Sequence, residues 1–339
     1  MADKISIYGL SGAGKSCYIY AMTKAMSRGI KFDNGKVLSV VNTDFTQVNL
    51  LNARFREMAN GTWPPGTNET TNYVYDCSLA LEPVSEVSIL DYRGGIFSSI
   101  DKEGKKEVDE LYDSFRNSAA LLFFIGADKI AKAIAGDLVA YDDIDVIQSL
   151  YGYYRKKNPS DKTPVLIVIT KSDLLKPEQL EECKEFLMQS FQAIFGYGTG
   201  LTGGLTSVTL GKGLGTGANG ELTGQLCIGP TEGNLHVPIL FTLFSLFSKR
   251  LGVELEKNQS YRELLKNSEL ELEKEKNKGF FARLLNNNEK KIRNAIFSNK
   301  SSLSSSLKEL ELLNESLDLI KSKLKSGVEI YFNGRLLTL

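Results

Sequence analysis

The 339-residue sequence predicts an α/β fold: a mostly parallel sheet with helices on both faces, a three-layer sandwich, followed by a C-terminal α-helical hairpin and a short terminal β-hairpin. Three observations carry that expectation. Residues 1 to about 250 alternate short apolar runs with stretches of helical periodicity, the pattern of consecutive β–α–β units. A glycine-rich turn, "GLSGAGKS" (9–16), sits between the first apolar run and the first helical stretch. From about 251 the texture changes to charged, glycine-poor sequence with long helical periodicity.

Taken in order, strands are expected at "ISIYG" (5–9), "KVLSVVN" (36–42), "YVYDCSLAL" (73–81), "EVSILD" (86–91), "ALLFFIG" (120–126), "VLIVIT" (165–170) and "TSVTL" (206–210). Helices are expected near 16–27, 45–59, 104–117, 140–156 and 177–195; in the last, Leu180, Cys183, Phe186, Leu187 and Phe191 recur at spacings of three and four. The third and fourth strands meet across a short connection containing Pro83, which suggests one antiparallel edge pair. Residues 196–233 are glycine-rich and read as loop around one buried strand. The domain boundaries expected are 1–250 for the α/β domain, 251–326 for two long helices with "GFFARLL" (279–285) near their turn, and 327–339 for a hairpin. Asn333-Gly334 in that last segment suits a type I′ turn.

Composition narrows the function classes. Lys plus Arg and Asp plus Glu balance at 41 each, so no global basic field argues for nucleic acid. The four cysteines lack metal-ligand spacing and read as reduced thiols. The single histidine, His236, beside Val237-Pro238, reads as structural and leaves little room for histidine acid–base chemistry. The opening "MADKISIYGL" has no long apolar core, and the greasiest run, "VPILFTLFSLF", is too short for a span and is followed by Lys249 and Arg250. A cytoplasmic protein that does not enter a membrane is the expectation.

"GLSGAGKS" fits G-x-x-x-x-G-K-[ST], a phosphate-binding loop, in the required strand–turn–helix context. Glycines let successive backbone N–H groups form a nest for phosphate oxygens, and the following helix adds the positive end of its dipole. The candidate cradle is Gly9, Ser11, Gly12, Ala13, Gly14, Lys15, Ser16 and Cys17; Lys15 reaches the β- and γ-phosphates and Ser16 ligates Mg2+. "DYRG" (91–94) follows a strand. Asp91 is placed to hold Mg2+ through water, and the Gly94 N–H to sense a γ-phosphate. "TKSD" (170–173) ends another strand and matches [NT]-K-x-D: the Asp173 carboxylate accepts from guanine N1–H and the 2-amino group, donors that adenine does not present there, with Lys171 lying along the base. Each short pattern has a blander reading: any strand-terminal Asp before a Gly turn gives the first, and Ser172 and Asp173 as a helix cap give the second.

In this order, "GLSGAGKS", a threonine-bearing loop, "DYRG" and "TKSD" resemble the P-loop GTPases of the Ras-like and translation-factor class over residues 1 to about 250. "NGTWPPGT" (60–67) looks like bacterial double-GTPase-type proteins of the TRAFAC clade, a group linked to conflict and anti-phage defence loci. The resemblance implies GTP/GDP and Mg2+ as cofactors and hydrolysis of GTP. It also implies a switch threonine on Mg2+ and the γ-phosphate: Thr67, with Thr70 and Thr71 as alternatives. Finally it implies a loop near the base at Thr209-Leu210-Gly211 that contacts it through a backbone N–H. A bend at Trp63-Pro64-Pro65 packed on the core is the structural reading of that segment.

One departure stands out. Where many Ras-like enzymes carry a water-orienting glutamine, this chain has Gly95, so slow intrinsic hydrolysis is expected, with help from Arg93 in cis or from a partner. The expected partner is a protein effector or activator, or a second protomer joined through the nucleotide domain or the helical tail. Rival readings are a nucleotide-bound scaffold that hydrolyses little, and a dynamin-like membrane GTPase using "GFFARLL".

Overall fold

A computed structural model of the chain describes residues 3–66, 70–91, 104–217, 222–276 and 288–339. Thr67, Arg93, Gly94, Gly95 and the "GFFARLL" segment lie outside the described residues. The chain divides into two compact units, residues 1–243 with 322–339, and residues 244–321.

The first unit is built on β1 (Asp3–Tyr8), α1 (Lys15–Met26), β2 (Ile30–Lys31), β3 (Val37–Asn42), α2 (Phe45–Ala59), β4 (Thr71–Leu79) and β5 (Glu82–Asp91). There follow α3 (Gly104–Arg116), β6 (Ala120–Gly126), α4 (Ala127–Ile134), α5 (Leu138–Lys157), β7 (Val165–Thr170), α6 (Pro177–Ser190), α7 (Gln192–Phe195) and β8 (Thr202–Ser207). Last come β9 (Gly211–Thr216), β10 (Leu222–Leu226), the start of α8 (Val237–Lys276), the end of α9 (Asn288–Leu324), β11 (Val328–Phe332) and β12 (Arg335–Leu337).

Ten strands form one sheet in the order β12-β11-β8-β7-β6-β1-β5-β4-β3-β2. Its centre, β8-β7-β6-β1-β5, is parallel, with Ile5 opposite both Ile89 and Ala120. Both flanks are antiparallel. The expected antiparallel pair β4–β5 is therefore present but not at an edge: β5 also pairs with β1, and β3 and β2 lie beyond β4. The Asn333-Gly334 turn has positive φ at both positions, 52° and 78°, as a type I′ turn requires. Its hairpin joins the main sheet, with Ile330 opposite Gly204.

The central strands are buried on both faces, as parallel strands covered by crossover helices must be. On one face Tyr8, Leu121, Phe123, Ile125, Ile167 and Ile169 pack beneath Phe115 of α3, Ile130 of α4, Ile147 and Tyr151 of α5, and Leu187 of α6. On the other, Tyr18 of α1 meets Phe124 at 5.0 Å between ring centroids. Alternate residues of β6 thus serve opposite layers.

Three expectations are corrected. The strand expected at 206–210 is β8 at 202–207, and Thr209 lies in the turn after it. The glycine-rich segment holds a two-stranded antiparallel sheet, β9–β10, where loop was expected. The helix expected over 177–195 breaks at Phe191, which has ψ 53°.

Within the second unit, α8 and α9 pair antiparallel: Asn258 Nδ2 donates to Ser306 Oγ at 3.3 Å, and Lys300 lies 3.5 Å from Glu269. Leu310, Leu313 and Leu317 are buried at spacings of three and four, the stripe that a helix pair needs. Among the described residues no helix is long and apolar enough to cross a membrane.

Candidate nucleotide-binding site

Of the residues singled out by sequence, the described ones come together at the C-terminal ends of β1, β5 and β7 and in the turn after β8, where open parallel sheets place their ligands. The loop after β1 is shaped by its glycines. Gly12 and Gly14 have φ 77° and 80°, in the left-handed region. At Gly9 a Cβ would lie 2.4 Å from the Phe124 carbonyl oxygen, so the loop can leave β1 there only without a side chain.

Lys15 is buried and its Nζ donates to the carbonyl oxygens of Gly9 at 2.7 Å and Leu10 at 3.4 Å. Burial lowers its pKa, and the nearby Asp91 charge opposes that shift. Asp91 is fully buried at the end of β5, and Ser16 Oγ donates to its Oδ2 at 2.8 Å. Burial raises the Asp91 pKa, against the pull of Lys15 and the Ser16 hydrogen bond. Its other oxygen, Oδ1, is buried with no hydrogen-bond partner among the described residues. A buried carboxylate oxygen left bare beside a serine hydroxyl is a donor set that suits a hard divalent cation. Cys17 follows in α1; burial pushes its thiol up to about 11, so it is neutral at physiological pH and no nucleophile.

At the end of β7 the Thr170 hydroxyl donates to the Ala13 carbonyl at 2.8 Å. Thr170 therefore ties the second loop to the phosphate loop. Lys171 has φ 54°, and its Nζ pairs with the Asp128 carboxylate of α4 at 3.1 Å. Asp173 accepts from the Thr209 hydroxyl at 2.8 Å. The Thr209 backbone N–H, one of those expected to contact a base, donates to the Gly233 carbonyl at 3.0 Å. At this position it is the side chain that serves the site, by holding the Asp173 carboxylate.

Two adjoining cavities share Gly12, Gly14 and Cys17. The smaller, about 170 Å³, is lined by Ser11 to Cys17 and closed by Pro64, Pro65 and Gly66. The larger, about 350 Å³, is lined by Thr170, Lys171, Asp173, Trp63, Leu210 and Leu214 among others. Trp63 is 40% exposed. The proline bend thus walls the glycine loop, and Trp63 lines the larger cavity. Of the switch-threonine alternatives, Thr70 is exposed and Thr71 opens β4 opposite Asp91.

Sequence reasoning missed Asp128, the side-chain role of Thr209, and the wall formed by Leu214. Asp128 and Thr209 lie 43 and 36 residues from the side chains they hold, beyond any local pattern.

No protein-family profile matches the chain, and no curated protein matches it in sequence. Among solved structures it is similar to a bacterial selenocysteine-specific elongation factor, EF-Sec, at 13% identity and TM-score 0.29, over 56% of this chain and 23% of that one. It is also similar to a GTP-binding protein of the hyperthermophilic archaeon Sulfolobus solfataricus in complex with GDP, at 13% identity and TM-score 0.31, over 61% and 46%. A third likeness is to the septin GTPase domain of Chlamydomonas reinhardtii, at 13% identity and TM-score 0.28, over 58% and 61%. The chain spans from 23% to 61% of the length of these proteins. At such overlap the likenesses bear no weight of their own. What the structure itself shows is a mixed α/β sheet in which the glycine loop after β1, the buried carboxylate ending β5 and the Lys171–Asp173 turn after β7 stand together at one end.

Proposed function

We propose that the chain binds a guanine nucleotide with Mg2+ and hydrolyses GTP to GDP and phosphate, acting as a switch whose nucleotide state is read by a protein partner. One observation carries the reading: three segments far apart in sequence meet around two adjoining cavities, one walled by a phosphate loop and one edged by the Asp173 carboxylate.

The residues have separable tasks. The loop Gly9–Ser16 holds the phosphates through its backbone, and Lys15 exchanges its carbonyl partners for phosphate oxygens. Asp173, oriented by Thr209, accepts from the guanine edge. Ser16 and the bare oxygen of Asp91 would hold Mg2+, which when bound offsets charge on the β- and γ-phosphates. Gly95 offers no side chain to orient water, so hydrolysis by the isolated chain is slow and a partner, or a second protomer, supplies the missing group. The likeness of "NGTWPPGT" to conflict-associated GTPases makes a defence system the setting in which to seek that partner.

Calorimetric titration with GTP, GDP and ATP in the presence of Mg2+ tests the reading, in the wild type and Asp173→Ala. Guanine nucleotides bind at least about 100-fold more tightly than ATP to the wild type, and the preference disappears in the variant. Equal binding of ATP would overturn the base assignment.

A further inference from the structure

The glycine-rich stretch after β8 folds into a hairpin that reaches the larger cavity. Leu210 and Leu214 line that cavity from the hairpin, and Trp63 lines it from the loop after α2. The hairpin is a built element. At its base the Cys227 N–H donates to the Leu210 carbonyl at 2.7 Å, and the Glu232 carboxylate accepts from the N–H groups of Ile228 and Gly229 at 2.9 and 2.8 Å. Gly233, with φ 58°, lets the chain cross where a Cβ would sit 2.1 Å from the Thr209 oxygen. Along its length β9 packs on the 172–174 turn that carries Asp173, and β10 packs on α2. The hairpin therefore runs from the turn that bears the base-reading carboxylate to the helix that leads into Trp63.

A purine presents its hydrogen-bonding groups at its edge and apolar surface on its two faces. Asp173 can serve only the edge. The faces must be desolvated by something else; Leu210, Leu214 and Trp63 line the cavity, with Leu174 and Val208 beside the turn and strand that carry the edge contact.

We propose that the β9–β10 hairpin is a second base-binding element, in which Leu214 with Leu210 and Trp63 covers the faces of the bound purine and sets how long the nucleotide stays. The inference rests on the guanine-nucleotide reading of the same cavity. It divides the labour within that cavity: the Asp173 edge contact sets which base is accepted, and the hairpin sets the rate at which it leaves.

Trp63 is the single tryptophan of the chain and so reports on this cavity alone. Release of a GDP labelled on the ribose with an N-methylanthraniloyl group can be followed by energy transfer from Trp63, with excess unlabelled GDP as the chase. The competitor series is GDP and inosine diphosphate, which lacks the 2-amino group. Leu214→Ala releases GDP about tenfold faster than the wild type, keeps the wild-type ratio of GDP to inosine diphosphate affinity, and Leu214→Met stays close to the wild type. Asp173→Ala collapses the ratio. Wild-type release from Leu214→Ala overturns the inference and leaves the guanine reading standing. Loss of the ratio in Leu214→Ala, as in Asp173→Ala, also overturns it, because the hairpin would then only prop the 172–174 turn. If the wild type binds no guanine nucleotide, both fall together.

Discussion

At the scale of single residues, the site divides into groups that backbone geometry demands and groups that merely hold them. Gly9, Gly12 and Gly14 belong to the first kind: a Cβ at Gly9 would strike the Phe124 carbonyl, and Gly12 and Gly14 hold positive φ that side chains rarely adopt, so glycines at these positions were legible in the sequence. Lys15, Ser16, Asp91 and Asp173 were legible because each belongs to a short motif beside a strand: Lys15 and Ser16 open the helix after β1, Asp91 ends β5, and Asp173 lies in the turn after β7. Asp128 is of the second kind. Its pair with Lys171 is more than a third exposed and contributes little to stability, on the order of 0–1 kcal/mol. Its effect is on orientation: the pair fixes where the flexible Lys171 ammonium lies beside the cavity. Asp128→Ala is accordingly expected to weaken GDP binding by about threefold to tenfold while the melting temperature of the nucleotide-free protein stays within about a degree. Calorimetry and a thermal melt on the same sample check both halves.

At the scale of elements, helices were read more faithfully than glycine-bearing strands. Helix α2 falls where its periodicity places it, and Asp44, accepting from the N–H groups of Thr46 and Gln47, fixes its start. Strand β8, "TGGLTS", was displaced in the reading because Gly203 and Gly204 carry no apolar side chain to count. The structure gives the reason for those glycines. At Gly204 a Cβ would lie 2.6 Å from Leu166 Cδ1 and 2.8 Å from the Phe241 ring, and at Gly203 it would lie 2.7 Å from Ile194. The strand has given up its own side chains so that neighbours on both faces can close over it. Gly204→Ala therefore overpacks a layer that has no slack, and is expected to cost about 1–3 kcal/mol, read as a lower urea midpoint with unchanged slope. The β9–β10 hairpin escaped sequence reading for a related reason: four glycines in eleven described strand residues erase the alternation by which strands are recognised.

At the scale of the whole molecule, one buried side chain ties stability to pH in the acid range. His236 is the only histidine, it is buried, and its Nδ1 has no hydrogen-bond partner among the described residues. Burial holds its pKa down to about 4, against a backbone hydrogen bond at Lys323 that favours the charged ring, with the Lys323 charge acting the same way as burial. The fold therefore keeps the imidazole neutral while the unfolded chain protonates near its ordinary value of 6.5. Stability is fully present above about pH 6.5 and is lost as pH falls toward 4, by up to about 3 kcal/mol. Asp91, whose pKa burial raises, works in the opposite direction over the acid range. Urea midpoints at pH 7 and pH 5 are expected to separate in the wild type and to converge in His236→Asn.

The sheet that carries the site also determines which strand borders the molecule presents. A ten-stranded sheet has two open margins, and an open margin invites pairing with another chain. Here the margins are stubs: β2 is two residues long at one side and β12 three at the other. The second stub exists because β11 pairs along β8 and β12 along β11; without them the six residues of β8 would form the border. Strands β11 and β12 thus change what the sheet presents at that side. They replace a long, glycine-rich, adhesive border with one too short to template the addition of a stranger.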